Sequence, residues 1–286
     1  MSRLLICSLL GGALTWVTAA SPRLTQTDVL RVPELEVGFR LLYELKPAEA
    51  RTQFAARQKT HPEDPLSSAA EAASYLFEEY YRQGILTSEF FLDDDRFLGD
   101  IPVKADAALR KAFFAASKSA QDLARLRLKT NLDDANALFA MTISVGMQAD
   151  YTSMIDKKYL DSLRMIREAD KFAKKLLAVA PEGADAYLTL GTTNYIIGSL
   201  SVGKRFFLRF SGIRGDKRLG IKQIEIAAAS GRYLRPFAKI LLALAALREK
   251  KPDVARTQLT ELVAEFPQNP LFASELAKLN AISPRR

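Results

Sequence analysis

An all-α fold of repeating helix-turn-helix units is what this sequence predicts, and three observations predict it. Apolar residues recur at three- and four-residue spacing almost everywhere past residue 28. Runs of strict apolar and polar alternation are missing. One frame of small residue, apolar residue and proline returns in three places. With 286 residues, 48% hydrophobic and 26% charged, the chain can build a sizeable core and is too apolar for disorder.

The first element is a targeting segment. Arg3 precedes the apolar run Leu4 to Val17, and the small residues Thr18, Ala19, Ala20 and Ser21 follow. That order matches the basic start, apolar middle and cleavage site of a secretory signal peptide over residues 1–20. Fourteen helical residues reach only ~21 Å, short of the ~30 Å hydrocarbon core, so spanning is not expected. Bulky Ile6 before Cys7, with only six residues upstream, argues against lipidation. Cleavage after Ala20 removes the only cysteine, Cys7, and the only tryptophan, Trp16. The mature chain would be a single helical domain over 21–286, exported to the periplasm or secreted, with no disulfide and no thiol chemistry.

The helices follow from spacing. Between Asp161 and Ala180, Leu163, Ile166, Ala169, Phe172, Ala173, Leu176 and Leu177 fall on one face, with Lys and Glu opposite. Ile240 to Leu247 is apolar for eight positions between Lys239 and Arg248, which predicts a buried helix in a layered stack.

Three segments share one frame: Ala50, Phe54 and Pro62; Ala169, Ala173 and Pro181; Ala255, Leu259 and Pro267. The small residue stands four positions before the apolar one and twelve before the proline. A small side chain lets two helices approach, the fourth residue on lies one turn along the same face, and proline ends the helix. Pro65, Asp185 and Pro270 then lead new helical patterns.

This frame resembles the tetratricopeptide repeat, whose 34-residue units run W-x2-L-G-x2-Y, A-x3-F, P. Position by position, Gly38 and Leu41 precede Ala50, Phe54 and Pro62, and Tyr75 falls at the next tyrosine position. Tyr187, Leu190 and Gly191 follow Pro181, with Asn194 where tyrosine is expected and Tyr195 one residue late. Leu242, Ala243 and Ala246 precede Ala255, Leu259, Leu262 and Pro267. The match covers about two-thirds of the mature chain and has no tryptophan at any tryptophan position. The stretches Ser74 to Glu79, Asn194 to Leu200 and Gly231 to Arg235 look like an exported bacterial group of tetratricopeptide-like proteins of unassigned molecular activity. The resemblance implies a right-handed α-solenoid of such hairpins, a scaffold whose concave face grips a peptide or another protein.

Proline spacing also points to chain outside the repeat. Pro62 to Pro181 is 119 residues, 17 beyond three repeats, and Pro181 to Pro267 is 86, 18 beyond two. The excess is expected near 84–103, where Phe90, Phe91, Asp93, Asp94, Asp95, Gly99 and Pro102 break the helical pattern, and at 200–217. Insertions in such arrays tend to be loops on one face, often the binding face.

Catalytic chemistry has little to build on. His61, the only histidine, sits beside Pro62 at a helix end, where a cation-capable ring suits the helix dipole. Ser-His-Asp and Cys-His designs lose their base, and G-x-S-x-G, H-E-x-x-H, P-loop and G-x-G-x-x-G motifs are missing. Asp93, Asp94, Asp95 and Asp100 lack the alternation and the sixth-position glycine of a calcium loop. A carboxylate pair for glycoside hydrolysis has no positive support. No enzyme activity, metal or cofactor is expected.

Charge is the stronger anomaly. From Lys204 to Lys251 thirteen basic residues face three acidic ones, while the rest of the mature chain carries 27 basic against 30 acidic. Lys204, Arg205, Arg209, Arg214, Lys217 and Arg218 interleave with Phe206, Phe207 and Phe210 as a candidate binding patch. A solvated face is the plain alternative. Nucleic acid suits basic-plus-aromatic chemistry, but export argues against it. The expected role is an exported protein-binding scaffold of the cell envelope. The alternative is a module that binds an anionic membrane surface or envelope polymer through 204–251.

Overall fold

The structure, a computed structural model, describes residues 30–93, 99, 103–200 and 214–282. The segment expected to be a signal peptide lies outside these residues, as does most of the 200–217 insertion. Among the described residues there is no strand and there are twelve α-helices: α1 (Pro33–Tyr43), α2 (Pro47–Thr60), α3 (Pro65–Arg82), α4 (Ser88–Leu92), α5 (Ala107–Thr130), α6 (Ala135–Asp150), α7 (Tyr159–Val179), α8 (Ala186–Ser199), α9 (Lys217–Ser230), α10 (Arg235–Arg248), α11 (Pro252–Glu265) and α12 (Pro270–Ile282). A π-helical turn, Tyr151–Ile155, prolongs α6. None of the helices is long and apolar enough to cross a membrane.

Local sequence explains where the helices start. Proline opens α1, α2, α3, α11 and α12, where its missing N–H costs nothing. Asp64, Asp106, Asp134 and Asp216 cap α3, α5, α6 and α9 by accepting N–H groups of the first turn.

The helices pack in order. The pairs α1/α2, α3/α5, α6/α7, α8/α9 and α10/α11 form hairpins, each second helix packs on the first helix of the next pair, and α12 covers α11. The predicted frame lies at these contacts. Ala50, Ala173 and Ala255 are fully buried and Ala169 nearly so, as are Phe54 and Leu259. Pro62, Pro181 and Pro267 each fall in a tight turn, closed by Asp64 N–H to His61 O, Gly183 N–H to Ala180 O and Asn269 N–H to Phe266 O. Glycine marks the close approaches within hairpins. A Cβ at Gly38 would come within 2.1 Å of the Phe54 ring, and one at Gly191 within 2.7 Å of Ile224.

Two more units carry the frame without proline. Ala120 and Ala124 are fully buried on α5, and exposed Leu132 takes the proline's place in the turn closed by Asp134 N–H to Asn131 O. Gly220 and Ile224 play the same part on α9, with Arg232 in the turn. Between Pro62 and Pro181 the chain therefore holds two hairpins rather than the three expected from length. The extra chain falls in two places, the 83–106 connection and the segment from Tyr151 to Lys158. Phe90 and Phe91, expected to break helical pattern, instead lie in α4, because Phe90 is buried against a small core of Leu76, Tyr80, Ile85 and Phe113.

The array also closes on itself. Tyr233, in the turn before α10, accepts the Val32 N–H at 2.9 Å and donates its hydroxyl to Leu30 O at 2.7 Å. Tyr43 donates to Tyr233 O, and Asn269 donates to Tyr43 O. Phe39 packs on Tyr233 and Tyr43 on Phe266, while Phe77 of α3 meets Phe237 of α10 with ring centroids 5.7 Å apart. The first helix is thus held between early and late hairpins, in one core that runs from Leu30 to Leu279.

Candidate functional site

A cleft of about 50 Å³ opens where the two ends of the array meet. Leu42 and Tyr43 from α1, Leu45 just beyond it, Phe77 of α3, Leu86 of the connection into α4 and Ser88 at the start of α4 form one side. Ile240, Ala243, Leu244 and Leu247 of α10 and Leu259 of α11 form another, and Asn269, Leu271, Phe272 and Glu275 close it from the α12 end. The walls are hydrocarbon because α10 is apolar over more than the stripe its neighbours cover. The run Ile240 to Leu247, expected to be buried, leaves Ile240, Leu244 and Leu247 only partly so, and these three turn into the cleft.

Polar groups at the cleft are already partnered. Ser88 donates both its N–H and its hydroxyl to Glu275, which also accepts from Lys278 at 2.9 Å. Asn269 donates to Tyr43 O and accepts the Leu271 N–H. Burial pushes the Tyr43 phenol well above its ordinary range, so it remains a donor. Helix α4 is strapped across this end by Lys278 to Glu89 at 3.0 Å and Arg248 to Phe91 O at 2.8 Å.

The sequence-predicted basic patch is not assembled by the described residues. Lys204, Arg205, Phe206, Phe207, Arg209 and Phe210 lie outside them. Arg214 and Arg218 are exposed, while Lys217 pairs with Glu249 at 2.5 Å. Much of the remaining positive run is spent on acids elsewhere in the chain. Arg232 pairs with Glu36, Arg235 with Glu265 and Lys239 with Glu261. A charge imbalance that is local in sequence is in this way offset in space.

The repeat-frame residues stay in packing roles. Tyr75 donates to Glu71 beneath the Arg51 guanidinium, Tyr187 packs on the α8/α9/α10 core, and Leu190 is buried. Of the frame residues, Leu259 lines the cleft. Asp94, Asp95 and Asp100 lie outside the described residues, and exposed Asp93 follows α4. No group of three or more metal-ligating side chains occurs among the described residues. His61 ends α2 with its Nδ1 2.9 Å from the Thr60 hydroxyl.

Two carboxyls are pushed up by burial, Asp150 to about 7 and Asp170 to about 6, the latter held down in part by the Thr193 hydroxyl. Burial also raises Asp185, opposed by N–H donors from Leu234, Arg232 and Tyr233. Asp185 precedes α8 without capping it. Its carboxylate instead fixes the turn that carries Tyr233. No family model, curated protein or solved structure matches the chain.

Sequence reasoning missed the cleft because its lining comes from six separated stretches that no spacing rule connects. One signal was available. Eight consecutive apolar residues on one helix exceed what a helix in a layered stack needs to bury.

Proposed function

We propose that this chain is an exported, non-catalytic scaffold of tetratricopeptide-like hairpins, stacked as a short α-solenoid, which binds a protein partner of the cell envelope. The observation that carries the reading is the repeated hairpin: the same small and apolar positions, twelve residues ahead of a turn, recur at buried contacts in five consecutive units. Four of these units share the same backbone-closed turn. Two of them repeat a side-chain pair as well, Arg57 with Asp64 and Arg127 with Asp134. Arrays built from neighbour contacts present extended surfaces and work by docking other chains. The signal-like residues 1–20 support export, and the paired state of most cations from 217 to 248 gives the anionic surface or polymer alternative less support.

Photo-crosslinkers on the exposed faces of α5 and α7, followed by capture from envelope extract, test the reading. A discrete crosslinked protein is the expected result, and recovery of nothing above background would count decisively against a scaffold.

A further inference from the structure

We propose that the solvent face of α7 docks an acidic α-helix of the protein partner, an inference that rests on the scaffold reading and names the chemistry of what the scaffold holds. The first argument is position. Leu160, Arg164, Arg167, Lys171, Lys174 and Ala178 are all exposed, and their spacing of three and four keeps them within about 40° of one line along the helix. The four cations among them form a row of about 15 Å from Arg164 to Lys174. Leu160, 82% exposed one turn ahead of Arg164, adds an apolar contact at one end.

The second argument is pairing. On α2, α5 and α11 most cations are tied to acids, as Arg51 is to Glu78, Arg110 to Asp156 and Arg256 to Asp253. Arg164, Lys171 and Lys174 form no ion pair among the described residues. Like charges three and four apart on a helix repel one another, so folding gains nothing from this row, and carboxylates laid along it remove the repulsion.

The third argument is width. On one flank of the row Glu168 reaches Arg125 of α5 at 4.0 Å and Lys175 reaches Asp133 at 3.7 Å. On the other flank Asp170 accepts from Thr193 of α8. The row is therefore one residue wide, with acids on both sides. A flat anionic membrane would meet exposed Asp122, Asp133 and Asp161 together with the cations. A rod meets the row alone. An α-helix with acids three and four apart is such a rod, and its carboxylates repeat at the spacing of the cations they face.

The test is fluorescence anisotropy of the full chain with a labelled peptide of three Glu-Ala-Ala-Glu-Ala-Ala-Ala repeats, whose acids form one row on a helix. Binding should be lost as screening shortens the Debye length from about 10 Å at 0.1 M salt to about 3 Å at 1 M. A peptide of the same composition with its acids spread round the helix should bind several-fold more weakly. Arg164→Glu, Lys171→Glu and Lys174→Glu together should weaken the row peptide at least tenfold. Lys59→Glu, Lys250→Glu and Lys251→Glu, also exposed and in no ion pair among the described residues, make the same change in net charge away from α7 and should weaken it by less than about threefold. Equal losses in the two triple variants overturn the proposal, as does equal binding of the two peptides, a comparison on the wild type that decides even if the α7 variant misfolds. Tighter binding to anionic phosphatidylglycerol vesicles than to the row peptide also overturns it and points to membrane docking. A protein crosslinked through α7 while the row peptide stays unbound overturns the acidic helix and leaves the scaffold standing. Peptide bound with no protein captured supports the charge chemistry of α7 and removes the scaffold.

Discussion

Contacts between successive hairpins and contacts between the two ends of the array are made of different materials. The former are apolar and close, with Ala50, Ala120, Ala173 and Ala255 fully buried, and inside the hairpins Gly38 and Gly191 admit the Phe54 ring and the branched side chain of Ile224. The latter are hydroxyls, amides and rings, with Tyr233 and Asn269 spanning some two hundred residues of sequence. The difference teaches which part of a repeat array sequence periodicity encodes. Neighbour contacts recur, so each has the same solution. The meeting of the ends occurs once, and its residues are chosen one by one.

The largest expected effect breaks the neighbour contacts. Ala255→Arg forces a long charged side chain between two helices and should cost about 4 kcal/mol in urea unfolding, from overpacking and an unpaired buried charge together. Val254→Arg, one residue away and 46% exposed, should stay within about 0.5 kcal/mol. Equal effects at the two positions would dissolve the distinction between array and surface.

The next breaks the support of the meeting point. Asp185 is buried and accepts N–H groups from Arg232 at 3.0 Å, Tyr233 at 3.3 Å and Leu234 at 2.8 Å. Asp185→Ala strands those donors and should cost about 3 kcal/mol. Asp185→Asn keeps an acceptor and should recover part of it. An alanine variant as stable as the wild type would show that the turn is held by its rings alone.

How much of this was legible follows the same division. The all-helical class and the alanine frame were read from spacing because burial of one helical face leaves a periodic trace. The units at Leu132 and Arg232 escaped because the turn there needs only a helix stop, and proline is one of several residues that supply it. Once they were missed, the length between Pro62 and Pro181 suggested one unit too many. The partnering of Arg232, Arg235 and Lys239 with Glu36, Glu265 and Glu261 was invisible, since a charge count along the chain cannot see acids that folding brings near. The cleft was invisible for the same reason, apart from the apolar surplus of α10.

A smaller effect isolates the hydrogen bonds of the meeting point from its packing. Tyr233→Phe keeps the ring against Phe39 but removes the hydroxyl that accepts from Val32 and donates to Leu30. The expected cost is about 2 kcal/mol, with faster amide exchange confined to residues 30–43. Exchange that quickens equally in α5 and α7 would mean that the ends and the array unfold as one unit, and the contrast drawn between them would fail.

The smallest effect tests whether the array tolerates a polar group where its repeat is interrupted. Asp150 ends α6 where the π turn begins, and burial raises its carboxyl to about 7. Against an unfolded value near 3.9, the native state holds the proton more tightly. This contribution to stability is therefore complete below about pH 4, declines as pH rises, and is gone above about pH 7. Its size should be about 1 kcal/mol, well under the full conversion of the shift, because Asp150 keeps some contact with solvent. Tyr80, across the contact from α3, responds in the same sense, its phenol raised by burial first and then by the Asp150 charge. Asp150→Asn retains the shape and removes the titration. The difference in unfolding free energy between variant and wild type should then grow in the variant's favour from about pH 4 to about pH 8. A difference that stays constant over that range would place the carboxyl in water and leave the α3/α6 contact as apolar as its neighbours.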